Sequence, residues 1–303
     1  MRIGYPCINR SLQCTTGRTF RLRSFSEQRL IETVRQNMAC LEEVLRFNAE
    51  HGILFFRITS DLVPFASHPV CRLDWAQRFA KEFRRLGAFV RKNGMRISMH
   101  PDQFTLLNAL DARIVANSLR ELEYHAKVLD AMELNTTAKI QLHVGGIYGD
   151  REAAIARFIQ RYQQLPSTIR RRLVIENDHR LFPLADCMRI HQATGVPILF
   201  DTFHHAILNR GETLSTALRM AAGTWRKRDG PLMVDYSSQA AGRPPGCHAP
   251  TLDGKDFVAF LRAAEGLNCD VMLEIKDKEK SALRARALVA TSRPPPQQRS
   301  VVL

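Results

Sequence analysis

Eight short apolar runs alternate with longer amphipathic stretches along almost the whole chain. The runs have the length of β-strands, and several are apolar throughout, as expected for parallel strands covered on both faces. We predict strands at residues 2–5, 54–59, 96–100, 139–143, 173–176, 197–202, 232–237 and 270–276. The stretches between them have apolar residues at helical spacing. We predict helices at residues 26–50, 74–93, 111–133, 150–164, 184–194, 213–222 and 254–265.

This alternation indicates a single (β/α)8 barrel, a TIM barrel, over residues 1–280. A doubly wound open sheet is the alternative, but the first strand-to-helix loop lacks the GxGxxG motif of dinucleotide-binding folds. A chain of 303 residues that is 45% hydrophobic can supply the core of such a barrel. Residues 281–303 carry four arginines and no acidic residue, and they include three consecutive prolines. We therefore predict a basic, disordered C-terminal tail there.

The composition restricts the partners of the protein. The net charge is +14, and lysine and arginine neutralise phosphates, so the charge favours a polyanionic partner. The sequence has no apolar run of the length that spans a membrane. The seven cysteines are scattered and form no CxxC pair. That pattern is typical of a reducing cytoplasm, where most thiols serve as small core residues.

Ionisable side chains stand where six of the eight predicted strands end or in the loops that follow. In a TIM barrel these ends meet at one face, which carries the active site. The residues are His100, His143, Glu176, Asp201, His204, Asp235, His248 and Glu274, and His68 follows the second strand. Each has an ordinary explanation by itself, since Asp201, for example, could cap the next helix. Three further histidines, His125, His179 and His191, are predicted to be structural or solvent-facing, and His205 should point away from His204.

The whole set is harder to explain without cations, because burying many ionisable groups together is costly unless their charges are compensated. Mixed histidine, aspartate and glutamate ligands suit zinc, manganese or iron, and an all-oxygen set would suit magnesium or calcium. The set is too large for one ion, so we predict two or three. Clustered ions activate water and stabilise the attacking and leaving oxygens of phosphoryl transfer.

Several longer motifs occur in a fixed order: GYPCIN, FRITSDLVPFASHP, RISMHPDQF, LHVGG, IENDHR, FDTFHH, SSQ and LEIKDKE. Together they resemble the UV damage endonuclease family of DNA-repair enzymes, whose broader relatives are the endonuclease IV and xylose isomerase barrels. The resemblance covers roughly residues 1–280. It implies a metal-dependent nuclease that cuts the DNA backbone directly 5′ to cyclobutane dimers, 6-4 photoproducts and other helix-distorting lesions. This cut initiates alternative excision repair.

The resemblance also implies a cofactor and roles for residues. It implies divalent ions, manganese above all, with magnesium, zinc and cobalt as alternatives. It implies that the eight residues at the strand ends and in the loops after them, from His100 to Glu274, are metal ligands, and that His68 and Glu176 are catalytic. It further implies a monomer that acts on damaged double-stranded DNA in the bacterial cytoplasm, in association with the nucleoid. Two departures concern the seventh strand, where Met233 replaces a lysine and Asp235 replaces a histidine found in some members. An anionic, harder ligand at position 235 could shift the metal preference.

For DNA, the resemblance implies that Tyr5, Gln103 and Phe104 wedge into the duplex opposite the lesion. Core packing at the barrel mouth is the alternative for Tyr5, and anchoring of the loop is the alternative for Phe104. A damaged step costs less to unstack than an intact one, so an inserted side chain can detect it. Basic residues near the mouth are predicted to follow the phosphates, chiefly Arg18, Arg21 and Lys276.

Three other functions stay open at this point. An abasic-site endonuclease would use closely related chemistry and is the main alternative. A sugar isomerase on the same barrel would need no polyanion groove, so the positive charge argues against it. A DNA-distortion binder without chemistry would not need the full set of ionisable residues at the barrel mouth.

Overall fold

The computed structural model describes residues 1–291. Eight parallel strands close into a barrel in chain order, with β8 paired to β1. The strands are β1 (Ile3–Pro6), β2 (Phe55–Ile58), β3 (Arg96–Met99), β4 (Lys139–His143), β5 (Leu173–Glu176), β6 (Ile198–Asp201), β7 (Leu232–Tyr236) and β8 (Cys269–Leu273). The predicted TIM barrel is confirmed, with all eight strands in the predicted places.

Eleven α-helices surround the barrel within the described residues. They are α1 (Glu27–Glu50), α2 (Trp75–Arg78), α3 (Ala80–Lys92), α4 (Ala112–Ala131), α5 (Arg151–Gln164), α6 (Ser167–Arg170), α7 (Leu184–Thr194), α8 (Thr202–Ile207), α9 (Leu214–Ala222), α10 (Gly254–Ala263) and α11 (Glu279–Thr291). Side chains of Ser26, Asp111, Asp150, Thr213 and Asp253 cap the helices that follow them by accepting backbone N–H groups. None of these helices is long and apolar enough to cross a bilayer.

The C-terminal segment differs from the prediction. Residues 281–291 belong to helix α11 rather than to a disordered tail, so a boundary at residue 280 is wrong. Ala282 and Ala285 are fully buried, and α11 packs against β1. The small residues at helical spacing form this buried face, and the surrounding arginines obscured it in the composition. The rest of the predicted tail, residues 292–303, lies outside the described residues.

Side chains inside the barrel form layers, because strand residues two apart point to the same side. The layer nearest the N-terminal ends of the strands is charged. There Arg96 lies 3.1 Å from Asp270, and Lys139 lies 2.6 Å from Asp229. The next layer is apolar and consists of Phe55, Val174, Leu199, Met233 and Met272.

The third layer follows from the second by the same two-residue step. Two residues beyond each member of the apolar layer stand Arg57, Glu176, Asp201, Asp235 and Glu274. This step brings one arginine and four carboxylates together at the C-terminal mouth of the barrel. Met233 is fully buried two residues before Asp235 on β7, so its side chain is part of the apolar layer beneath the mouth.

One pair of cysteines departs from the prediction that these residues are thiols. Cys14, in the loop after β1, forms a disulfide with Cys40 of α1, and their Cα atoms are 5.7 Å apart. The other five cysteines are free. The sequence gives no sign of this pairing, because 26 residues separate the two cysteines and only the fold of the loop onto α1 brings them together.

Candidate metal centre at the barrel mouth

The end of β4 shows how the mouth is shaped. His143 ends the strand, and Gly145 follows with a φ of 116°. A Cβ on Gly145 would lie 2.2 Å from Asn108 Oδ1, so only glycine lets Asn108 pack there. The Asn108 amide donates to the carbonyl of Gly146 at 2.8 Å and accepts its N–H at 3.2 Å. The two glycines therefore bring the β3–α4 connection against the end of β4, beside His143.

The first group of candidate ligands centres on Glu176. Its Oε2 lies 3.6 Å from His100 Nε2 and 3.8 Å from His143 Nε2. Gln141 Nε2 donates to the same oxygen at 2.9 Å. The distances to the imidazoles are too long for hydrogen bonds, but they suit ligands that each lie about 2.0–2.2 Å from a shared ion. His100, His143 and Glu176 could therefore hold one cation.

A second group adds Asp201 and His204 to Glu176. Asp201 Oδ1 accepts the His204 backbone N–H at 2.7 Å and so caps α8. Its other oxygen, Oδ2, lies 3.6 Å from His204 Nδ1, which is 3.4 Å from Glu176 Oε1. Capping and ligation are therefore compatible, since a different oxygen serves each. The Asn177 carbonyl accepts a hydrogen bond from His204 Nδ1–H at 2.9 Å, which holds the ring in place and leaves Nε2 as the nitrogen with a free lone pair in the neutral ring.

A third group consists of Asp201, Asp235 and Glu274. His248 stands beside it, with Nδ1 2.7 Å from the Glu274 carbonyl oxygen and Nε2 3.9 Å from Glu274 Oε2. A carbonyl oxygen only accepts, so Nδ1 carries the hydrogen and Nε2 keeps its lone pair in the neutral ring. Metal-binding imidazoles typically have this arrangement. All eight predicted ligands thus meet at the mouth, distributed among these three groups and His248.

Arg57 belongs to the same place and was missed by the sequence analysis. Its Nη2 donates to both carboxylate oxygens of Asp235, at 2.8 and 2.6 Å, and its Nη1 donates to Glu274. The side chains of Arg57 and Asp235 are almost completely buried. The signal was a charged residue inside an apolar strand, two positions after Phe55 and therefore on the same side of the sheet.

The pKa values of two carboxyl groups at the mouth, those of Asp201 and Glu176, are shifted in opposite directions. Burial raises the pKa of Asp201 to about 7, despite the nearby His204. Burial also acts to raise the pKa of Glu176, but His143 and the hydrogen bond from His204 outweigh it and hold the pKa of Glu176 below its usual value. Without a cation, the cluster therefore shares protons between its acids and imidazoles. A bound divalent ion would take the place of those protons.

His179 is a second residue beside the mouth that the sequence analysis did not connect with the candidate ligands. Its ring centroid lies 4.9 Å from that of His204, and it lines a cavity together with His100 and His143. The structure thus places His179 next to the candidate ligands, a position that the sequence analysis did not predict. Burial, with the neighbouring His204, lowers the pKa of His179 and so favours its neutral form. Its position three residues after Glu176 was the available signal.

His68 lies apart from this cluster. It is exposed, and its Nδ1 accepts the backbone N–H of Val70 at 3.1 Å. It lines a cavity of about 510 Å³ with Asp102 and Phe104, and the loop that carries those two residues separates it from the mouth. No contact among the described residues joins His68 to the eight candidate ligands.

The structure contradicts the predicted DNA contact of Tyr5. The side chain is fully buried, and its hydroxyl donates to Asn48 Oδ1 at 2.7 Å and accepts from Asn9 Nδ2 at 2.8 Å. The reason is the direction of the side chain, since Gly4 faces Phe55 inside the barrel and Tyr5 therefore faces α1 on the outside.

The other candidate DNA contacts are accessible. The side chain of Phe104 is 75% exposed, and Gln103 lines both cavities of the mouth. Arg18, Arg21 and Lys276 are exposed, and Lys276 borders the mouth beside Glu274. Their positions leave all five free to meet a large ligand.

A TIM barrel whose mouth concentrates imidazoles and carboxylates has the architecture of metal-dependent barrel enzymes. The family described as UV-endonuclease UvdE matches residues 1–292 of the chain. A UV DNA damage endonuclease from Clostridium perfringens is 33% identical over 286 residues, which cover 94% of this chain and 69% of that protein. The chain belongs to the UV DNA damage endonuclease family.

Solved structures agree with this assignment. The crystal structure of SacUVDE has a TM-score of 0.92 and 43% sequence identity, and the match covers 96% of this chain and 98% of that one. Endonuclease IV from Thermus thermophilus has a TM-score of 0.58 at 15% identity, covering 96% of this chain and 98% of that one. The second likeness shows a shared fold alone. The family predicted from the sequence motifs is confirmed.

Proposed function

We propose that this protein is a metal-dependent DNA-repair endonuclease. It nicks the backbone directly 5′ to cyclobutane dimers, 6-4 photoproducts and other helix-distorting lesions. The observation that carries the proposal is the convergence of His100, His143 and Glu176 with two further groups of acids and imidazoles at one mouth. Membership of a UV DNA damage endonuclease family supplies the reaction class.

The three groups would hold two or three divalent ions. Glu176 belongs to the first two groups and Asp201 to the last two, so each could bridge neighbouring ions. The mixture of nitrogen and oxygen ligands suits manganese, zinc or iron, and the resemblance to the family favours Mn²⁺, with Mg²⁺, Zn²⁺ and Co²⁺ as alternatives. When bound, such ions supply Lewis-acid polarisation of the phosphodiester and a more acidic water.

Residues of the chain orient this centre. Gln141 donates to Glu176 Oε2 and to Asp235 Oδ2, each at 2.9 Å, and so fixes both carboxylates. Arg57 adds a permanent positive charge next to Asp235 and Glu274. Lys278 lines the mouth near Glu274 and is placed to attract a phosphate. We keep His68 as a candidate contact for the scissile strand.

The substrate would be damaged double-stranded DNA. Phe104 and Gln103 would enter the duplex at the lesion, where unstacking costs least. Arg18, Arg21 and Lys276 would follow the phosphates on either side, in agreement with the net charge of +14. We further propose that the protein acts as a monomer in the bacterial cytoplasm, on nucleoid DNA.

A nicking assay with three duplexes tests this function. One carries a single cyclobutane dimer, the second is undamaged, and the third has an abasic site. We expect cutting at the phosphodiester immediately 5′ to the dimer, mapped at single-nucleotide resolution, and no cutting of the undamaged duplex. Cutting of the abasic duplex alone would assign the protein to abasic-site repair. Failure to cut any of the three would refute the endonuclease function.

A further inference from the structure

A second cavity lies beside the mouth, between the loop after β7 and the segment after β8. We call it the basic cavity, because Arg243, Lys255, Lys276 and Arg284 line it. Its volume is about 930 Å³, against about 540 Å³ for the part of the mouth beside Glu274. Lys276 borders both spaces, so the two are adjacent. None of the residues that hold the candidate metal centre lines the basic cavity.

The charge of the basic cavity is not compensated by its own wall. In residues 1–291, none of the four basic side chains forms an ion pair. The single acidic residue in the wall is Asp253, whose Oδ1 accepts the N–H groups of Lys255 and Asp256 to cap α10. The four cations come from separate segments of the chain. A concave surface with one sign of charge concentrates the field and attracts anions.

The wall of the basic cavity is also held in place. The Gln239 side chain donates to the carbonyls of Ala240, Arg243 and Pro244 and accepts the N–H of Gly246. Arg284 Nη1 donates to the Leu252 carbonyl at 3.0 Å, which attaches α11 to the same loop. These bonds position the cations before any ligand arrives.

The same loop reaches the candidate metal centre. Gln239 and His248 form an isolated antiparallel bridge, so one short segment carries both the wall of the basic cavity and a candidate metal ligand. TIM barrels commonly bind phosphate with the loops after the seventh and eighth strands. Four cations against one carboxylate, in a space much larger than one phosphate group, suit a stretch of nucleic-acid backbone better than a small free anion.

We propose that the basic cavity binds a backbone phosphate of the DNA strand that flanks the cut, and so provides a second anchor outside the metal centre. This inference rests on the proposed function. The anchor would hold the duplex in register while the mouth engages the lesion. It would add affinity that depends on salt but not on the base sequence.

The test combines a double variant, Arg243→Gln with Lys255→Gln, with a scan of neutral methylphosphonates along both strands of a dimer-containing duplex. For the wild type, we expect a methylphosphonate at one or two flanking positions to weaken binding about fivefold to tenfold. The double variant should bind about tenfold more weakly, with a salt slope smaller by about 1 to 2. At those same positions the methylphosphonate should have no further effect on the variant.

The matched control is Arg262→Gln, because Arg262 lies in the last turn of α10, at the opposite end of the helix that begins beside Lys255. It should leave the salt slope and the scan unchanged. Thermal unfolding should be the same for the double variant and the wild type, since Arg243 and Lys255 make no ion pairs.

Three results would overturn the anchor: an unchanged salt slope, equal methylphosphonate effects in wild type and double variant, or a cavity that binds free inorganic phosphate in preference to DNA. The last is measured by competition at constant ionic strength.

Measurements on undamaged duplex DNA distinguish failure of the anchor from failure of the proposed function. If the wild type neither prefers nor cuts the dimer, yet the salt slope on undamaged DNA still depends on Arg243 and Lys255, the anchor stands and the lesion-specific function fails. If the double variant cuts the dimer normally and its salt slope equals that of the wild type, the lesion-specific function stands and the anchor fails.

Discussion

Arg57 and Asp235 form a bidentate ion pair inside the barrel, with Arg57 Nη2 at 2.8 and 2.6 Å from the two carboxylate oxygens. The pair lies in the layer of the candidate metal ligands, and Arg57 also donates to Glu274. A fixed guanidinium therefore provides part of the positive charge that the buried carboxylates need. The rest must come from protons or from metal ions.

Replacing Arg57 by glutamine should destabilise the metal-free protein. Removing one partner leaves two buried carboxylates without their cation, a change that typically costs about 3–5 kcal/mol. Urea unfolding in EDTA measures this loss. Saturating Mn²⁺ should stabilise the variant more than the wild type, because the ion restores the missing charge. Arg46→Gln is the control, because its ion pair with Glu42 is largely exposed to solvent and its loss should change the stability little. Equal stability of Arg57→Gln and wild type in EDTA would contradict this account.

The buried side chain of His125 should make the stability of the protein depend on pH. Burial lowers the pKa of His125 to about 4 from its ordinary value of 6.5, and its Nδ1–H donates to the Glu121 carbonyl. Between these two values the unfolded chain binds a proton that the folded protein does not. The contribution of His125 to the free energy of unfolding should therefore fall by about 3 kcal/mol as the pH drops from 6.5 to 4.

The variant His125→Asn isolates this effect, because asparagine does not titrate. Chemical unfolding of both proteins at about pH 7 and about pH 4.5, on either side of the ordinary histidine pKa, gives the comparison. The difference in unfolding free energy between wild type and variant should shrink at the lower pH. A difference that stays constant across the two conditions would show that His125 is not the group responsible.

The disulfide between Cys14 and Cys40 fastens the loop that carries Arg18 and Arg21 to α1. Closing a segment of this length stabilises a protein by about 3 kcal/mol, so the double variant Cys14→Ser with Cys40→Ser should lose roughly that amount. Cys71→Ser, at a free cysteine, is the control. Thiol titration of the denatured, unreduced protein should find five thiols. A count equal to all seven cysteines would rule the disulfide out.

Phe104 should contribute to lesion recognition. The ring is 75% exposed on the loop between the mouth and the cavity of His68, so it can stack without moving core residues. Stacking is typically worth about 1–3 kcal/mol per base, and Phe104→Ala should lower affinity for the dimer duplex by roughly fivefold or more. Leu110→Ala is the matched control, because Leu110 is 62% exposed on the same connection. Equal affinities for the two variants would remove Phe104 from the DNA contact.

The sequence predicted the barrel and the meeting of the eight candidate ligands at its mouth for a geometric reason. The C-terminal ends of the parallel strands meet at one face of a barrel. Acidic residues and histidines at those ends are therefore expected to line the mouth. The predictions from the sequence were wrong or incomplete where the direction of a side chain decides its role. Tyr5 faces α1 because Gly4 takes the inward position, and Arg57 points inward from the middle of an apolar strand. The alternation of side chains could have revealed both.

The remaining errors depend on contacts between distant segments. His179 reaches His204 only because the loop after β5 turns back over the mouth. Cys14 reaches Cys40 through the fold of the first loop. Helix α11 is recognisable by its buried face against β1, while its basic composition resembles that of a solvated tail. Local sequence patterns give only indirect signals for these arrangements, because the contacts join segments that lie far apart in the chain.

The central claim is that the residues of the mouth hold metal ions that cutting requires. Measuring the metal content and the DNA-cutting activity of the same protein samples tests this claim most directly. We would strip the wild type, Glu176→Gln and the control Glu265→Gln of metal, add Mn²⁺, and measure bound ions by elemental analysis and cutting of the dimer duplex. We expect two or three ions in the wild type and the control, with cutting that EDTA abolishes. For Glu176→Gln we expect at least one ion fewer and no cutting. Full cutting by the stripped wild type in EDTA, or unchanged metal content in Glu176→Gln, would contradict the claim.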